Sequence, residues 1–99
     1  MRAEVKGSAI YLDSIEWTFF NSYNTLIAAY GRQLDIIFLN KMWRSFSRTT
    51  TKQFAYFVQH YTPYCYQGAQ TFAEQIKAGK IPVLLLPGEE MKICLNLPM

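Results

Sequence analysis

The segment from Lys41 to Lys52 contains the residues whose types and spacing offer the clearest chemistry. Within it, four cations alternate with two large aromatic residues and several hydroxyl side chains. Cations and hydroxyls can bind phosphate oxygens, and exposed aromatic rings can stack on unpaired bases. Trp and Arg are also enriched where protein interfaces gain most of their affinity. The candidate partner-binding residues are Lys41, Trp43, Arg44, Phe46, Arg48 and Lys52.

Three interpretations of this segment stay open at the level of sequence. It can be a connection whose Trp43 and Phe46 fold back into the core, a surface that meets an acidic protein, or a nucleic-acid site. Five basic residues between Arg32 and Lys52 are opposed by one acid, Asp35, which leaves +4 on a chain of formal net charge +3. So small a net charge does not by itself indicate nucleic-acid binding.

No catalytic or metal-binding pattern is visible in the sequence. His60 is the single histidine, and no Ser or Cys motif accompanies it, so we predict a surface or helix-end histidine. Asp13, Glu16 and Asp35 do not have the spacing of a calcium loop. A glycine-rich phosphate loop and an HExxH motif are both absent from the sequence. We therefore expect a protein that is not an enzyme, with no catalytic residue, metal or cofactor.

Length and composition predict one globular domain over residues 1–99. Hydrophobic residues make up 51% of the chain and aromatic residues 16%, which is ample for a packed core. The apolar runs are far shorter than the roughly 20 residues that span a bilayer, and no apolar signal segment follows the N-terminus. We therefore expect a cytoplasmic protein without a membrane partner. Cys65 and Cys94 are predicted to be buried free thiols.

The N-terminal half predicts an antiparallel meander. Aromatic and β-branched residues favour strands near residues 8–12, 16–20, 25–30 and 34–39. The last two runs form the clearest hairpin, in which Gly31 is expected to supply a positive φ.

The second half predicts two helices on one face of the sheet. Phe54, Phe57, Val58 and Tyr61 follow the spacing of one helical face, which favours a helix over about residues 49–61. Ser47, Thr49 and Thr50 are alternative caps. A second helix fits residues 69–78 and ends at Gly79. The predicted core consists of Phe54, Phe57, Val58, Phe72, Ile76, Ile27, Ile37 and Leu39.

The C-terminal residues are harder to interpret, because prolines interrupt two apolar runs. Residues 81–86 and 91–95 can form strands, but Pro82, Pro87 and Pro98 restrict such strands to sheet edges. An edge strand and an extended arm stay open. The expected fold class is α+β, with an antiparallel N-terminal sheet and two helices packed on one face.

Two motifs resemble those of a family of short uncharacterised phage-encoded proteins. Ser22-Tyr23-Asn24-Thr25 matches a recurring Ser-Tyr-x-Thr strand, and Ser47-Arg48-Thr49-Thr50 matches a Ser-x-Thr-Thr helix start. Here Leu26 stands where a proline is common in the family, and Gln53 where a histidine is common. The resemblance covers about the middle third of the chain. It implies a small α+β domain from a phage or mobile element, and it implies no settled activity.

This resemblance and the aromatic content lead to the expected function. We expect a non-enzymatic interaction protein of a phage or mobile element, acting in the host cytoplasm on a host or viral protein complex. Inhibition of a bacterial defence system, as by an anti-CRISPR protein, is its sharpest form. The alternative is a small nucleic-acid-binding regulator that uses residues 41–52. A homodimer is also expected, because so small a domain cannot bury all of its aromatic residues.

Overall fold

The computed structural model describes residues 2–94, with side chains described through Met91. Its elements in chain order are β1 (Arg2–Lys6), β2 (Ala9–Asp13), β3 (Trp17–Ser22), β4 (Thr25–Gly31), β5 (Ile36–Asn40), α1 (Arg48–Tyr61), α2 (Ala69–Lys77), β6 (Val83–Leu86) and α3 (Gly88–Cys94).

The strands form one six-stranded sheet in the order β1-β2-β3-β4-β5-β6. The first five pair antiparallel, and β6 pairs parallel with β5 at the sheet edge. A parallel pair needs a long crossover, which here contains α1 and α2. The predicted α+β class, the meander, the two main helices and the C-terminal edge strand are therefore confirmed.

Local capping and apolar spacing account for α1. The Ser47 side chain accepts a hydrogen bond from the Thr50 backbone N–H, so Ser47 is the cap among the three alternatives. At the other end, the Thr62 hydroxyl donates to the Val58 carbonyl at 2.6 Å. Between these ends, Phe54 and Phe57 are buried against the sheet.

The core lies between the sheet and helices α1 and α2. Tyr11, Phe20, Ala28 and Leu39 occupy opposed positions on β2 to β5 and form a buried row that faces the helices. The Phe20 ring centroid lies 5.7 Å from that of Phe57. All the predicted core residues are buried, except that Ile76 is partly buried against the same cluster.

One element near each end of the chain differs from expectation. Strand β1 was not predicted, because its five residues include three charged ones and depend on pairing with β2. The strand predicted over 91–95 is wrong, since α3 covers residues through 94 and Leu95 lies outside the described part. Glu89 and Glu90 in the first turn favour a helix there through the helix dipole.

Gly31 and Cys65 also correct the sequence interpretation. The positive φ in the β4–β5 connection belongs to Asp35, at 52°, and not to Gly31. Cys65 is a free thiol as expected, but it is exposed, because it lies in the loop between α1 and α2. The side chain of Cys94 lies outside the described residues.

Candidate interaction surfaces

The structure separates the aromatic part of segment 41–52 from its cations. Trp43 is only 8% exposed, and its ring packs against Phe54 and Phe72 at centroid distances of 5.8 and 5.6 Å. Phe46 is partly buried against the same core. These rings therefore anchor the segment to the core and do not form a stacking platform on the surface.

The four cations of this segment are exposed but do not form one cluster. Lys41 directly follows β5, and Arg44 lies near α2, where its guanidinium donates to the Gln70 side chain at 3.3 Å. Lys52 lies on α1 next to Gln53, whose side chain reaches the Ser8 hydroxyl in the β1–β2 turn. The predicted site is thus divided between two regions, and partner binding by its residues stays a prediction.

A continuous apolar row crosses the sheet on the side that faces away from α1 and α2. We call this side the open face. The strand register identifies the residues of this face. Paired residues on neighbouring strands point to the same face of the sheet, and adjacent residues along one strand point to opposite faces. The row consists of Ala3, Leu12, Phe19, Ala29, Phe38 and Leu84.

Aromatic packing organises the centre of the open face. The Trp17 ring stacks on Phe19 and tilts against Phe38, both at centroid distances of 5.7 Å. The indole also covers Gly31, where an added Cβ would lie 3.0 Å from a Trp17 ring carbon. Gly31 is therefore explained by the close approach of Trp17.

Other apolar side chains of the open face reach solvent. Val5 is 66% exposed, and Ile10 opposite it on β2 is also exposed. Helix α3 covers one end of the face, where it contacts β4 and β5 and its Met91 side chain is fully buried. At the same end, the Asn40 side-chain amide donates to the Leu26 carbonyl at 3.1 Å and links these two strands. Within the described residues, this helix leaves the rest of the apolar row uncovered.

A second surface lies where α1 overhangs the edge strand β1. The Glu4 carboxylate accepts hydrogen bonds from the hydroxyls of Tyr61 and Tyr56. Both bonds stabilise the ionised form, so the pKa of Glu4 is lowered from its ordinary value. Burial and the hydrogen bond to Glu4 raise the pKa of Tyr61. Glu4 is therefore a carboxylate at neutral pH, with tyrosine hydroxyls directed at it.

Basic side chains border this tyrosine cluster. The Lys6 ammonium lies 3.9 Å from the centroid of the Tyr56 ring, and the His60 ring stacks on Tyr56 at 4.0 Å. His60 is exposed in the last turn of α1, as predicted. We call this surface the cationic margin, and define it by Arg2, Lys6, Arg48, Lys52, Tyr56 and His60.

The cationic margin is bordered by two adjoining grooves. One, of about 440 Å³, is lined by Arg2, Glu4, Tyr56, His60 and Tyr61. The other, of about 410 Å³, shares Arg2, His60 and Tyr61 with the first.

An ion pair between Asp13 and Arg32 also lines the second groove. The Arg32 guanidinium donates to Asp13 at 2.7 Å, and the Thr18 hydroxyl donates to the same carboxylate at 2.7 Å. Burial opposes ionisation of Asp13, but the hydrogen bonds from Thr18 and Arg32 outweigh it and lower its pKa. Arg32 is thus largely neutralised by its partner.

Metal clusters and membrane-spanning helices are both absent from residues 2–94. In this range, no three His, Cys, Asp or Glu side chains lie close enough together to hold a metal ion. None of the helices in the same range is long and apolar enough to cross a membrane.

Comparison with known proteins places the chain in a family. A model described as a family of unknown function, DUF8033, matches residues 2–72. The chain belongs to this family. No curated protein and no solved structure matches it. The expected likeness to a family without an assigned function is confirmed. The match gives no indication of a phage origin.

The family match extends from β1 into α2. It therefore includes the first five strands and the cationic margin, and leaves β6 and α3 outside. Sequence reasoning missed the open face, and it named only Arg48 and Lys52 of the cationic margin. The consecutive apolar residues Phe19-Phe20 and Ile36 to Leu39 were a readable signal of a sheet that is apolar on both faces. The i, i+4 spacing of Arg48, Lys52, Tyr56 and His60 was the corresponding signal on α1.

Proposed function

We propose that this protein is a non-enzymatic interaction protein that binds a protein partner through the open face of its sheet. The observation that carries the proposal is the apolar row Ala3 to Leu84, which crosses all six strands on the side away from α1 and α2. Contiguous apolar patches on a monomer surface mark sites of interaction. Aromatic residues such as Trp17 and Phe19 supply large contact area, which favours a protein partner.

Inhibition of a bacterial defence complex is a narrower form of this function. It is supported by the resemblance to short phage-encoded proteins and by the small size of the domain. The open face supports protein binding in general, and so does not distinguish this form from other protein partners.

Strand β6 offers a matched test of the proposal. Leu84 belongs to the open face and is 46% exposed, whereas Leu85 points to the helix side and is 45% exposed. Each can be changed to Glu at a similar cost in stability, because the two side chains lose a similar area from water. We expect Leu84→Glu to abolish binding and Leu85→Glu to preserve it.

The measurement begins with affinity capture by the wild-type protein in a bacterial lysate, followed by titration of the purified partner against both variants. Loss of affinity of at least thirtyfold for Leu84→Glu alone, equivalent to a hot-spot residue of ~2 kcal/mol, supports the proposal. Equal losses in both variants contradict it. Sedimentation of the wild-type protein alone tests whether the partner is a second copy of this chain. A homodimer that dissociates in the Leu84→Glu variant would assign the open face to self-association.

A further inference from the structure

The chain carries its net charge in one place. Strand β1 and helix α1 together contain four Lys or Arg residues and one acid, Glu4. Their sum equals the formal net charge of +3 of the whole chain, because the other six basic residues are balanced by six acids. The cationic margin is thus a local concentration of positive charge, although the chain as a whole is only mildly basic.

The cations of the margin form a connected path. Arg48 and Lys52 are one helical turn apart on the exposed side of α1, and Tyr56 and His60 continue the same row. Lys6 joins this row from β1 through its contact with Tyr56. Arg2 lines the first groove beside His60, and its guanidinium lies 3.9 Å from the Asp13 carboxylate. From Arg48 to His60 the row is ~18 Å long at 1.5 Å per helical residue.

The margin also presents flat rings beside its cations. Tyr56 and His60 stack on each other next to a groove of about 440 Å³. That volume is within the ~300–1,000 Å³ common for small-ligand sites, so the groove can admit one base. Aromatic rings that stack on bases, next to cations that follow the backbone, are the general means of binding single strands. Glu4 repels phosphate, but its charge is directed toward the tyrosine hydroxyls.

We propose that the cationic margin is a binding site for single-stranded nucleic acid. Lys6, Arg48 and Lys52 neutralise successive phosphates, and the exposed His60 ring, which rests on Tyr56, stacks on a base that enters the first groove. This surface lies at the edge strand and on α1, on the other side of the sheet from the open face. It is therefore independent of the proposed protein-binding function, and either proposal can fail without the other.

The test is fluorescence anisotropy with a labelled 12-nucleotide single strand, of DNA and of RNA, titrated at several salt concentrations. Three neutralised phosphates predict a slope of about −2 for log K against log salt. The Lys6→Gln, Arg48→Gln, Lys52→Gln triple variant should lose at least tenfold in affinity, with a slope smaller in magnitude by about 2. The matched control, Lys41→Gln, Lys77→Gln, Lys80→Gln, removes the same charge elsewhere and should keep affinity within threefold.

A second variant separates stacking from charge. His60→Ala removes an exposed ring and should weaken binding about tenfold without changing the salt slope. Circular dichroism of each variant confirms that it is folded. The proposal is overturned if the wild type does not bind the oligonucleotide at 50 mM salt, or if the control loses as much affinity as the triple variant. It is also overturned if a duplex or an acidic peptide of equal charge binds as tightly, because the margin would then recognise charge alone.

Discussion

The two faces of the sheet carry nearly equal apolar content but differ in what covers them. On the covered face, Tyr11 and Phe20 pack under α1 and are fully buried. On the open face, their sequence neighbours Leu12 and Phe19 are only partly buried. A residue type therefore does not define its role here. The covered row stabilises the fold, and the open row remains partly exposed to solvent.

The largest expected effect concerns the covered face. Phe57→Ala should lower the free energy of unfolding by about 3–5 kcal/mol, because the side chain is fully buried and its removal leaves a cavity. Chemical denaturation monitored by circular dichroism measures this change. An unchanged denaturation midpoint would show that α1 does not hold the core, and the contrast between the faces would fail.

The corresponding change on the open face should cost much less. Phe19→Ala removes a ring that is only partly buried, so we expect a loss of about 1–2 kcal/mol, less than half that of Phe57→Ala. The same denaturation experiment applies to both variants. A loss as large as that of Phe57→Ala would mean that the open face is covered in solution, and sedimentation would then show whether a second copy covers it.

Removal of the N-terminal cap of α1 should have a smaller effect on the free energy of unfolding. Ser47→Ala removes the side-chain oxygen that accepts from the Thr50 N–H, and should cost about 1 kcal/mol. Ser45→Ala is the control, because Ser45 is exposed and precedes the cap. If both variants had the same thermal midpoint, capping would not contribute to the docking of α1.

The smallest expected effect is a dependence of stability on pH at the polar end of the covered face. The pKa of Asp13 is lowered in the folded protein from its ordinary value of 3.8. Its stabilising contribution is therefore present above about pH 4 and is lost as the pH falls through the folded pKa.

Asp13→Asn tests this contribution. The variant should flatten the fall in unfolding free energy between about pH 5 and pH 3. Denaturation curves at a series of pH values measure the slope in the wild type and in the variant. Identical slopes in the wild type and in Asp13→Asn would contradict the assigned role of Thr18 and Arg32 in stabilising the carboxylate.

The sequence by itself determined strands β2 to β5, helices α1 and α2, and much of the covered core of this protein. The spacing of Phe54, Phe57 and Val58 indicates one face of α1, and the short aromatic and β-branched runs of β3 to β5 indicate the meander, because both patterns depend on near neighbours. The sequence did not determine the backbone of the turn between β4 and β5. There, Asp35 and not Gly31 adopts the positive φ, and Gly31 is instead required by the overlying Trp17 ring from another strand.

Only the tertiary structure decided which residues are available to a partner. Trp43 and Arg44 are adjacent in sequence, yet one is buried in the core and the other is exposed. Lys6 and Tyr56 are distant in sequence, and they meet only because β1 pairs at the sheet edge beneath α1. Exposure and charge clustering depend on contacts between elements that are distant in sequence. For that reason, the candidate binding residues were predicted to lie in a single segment.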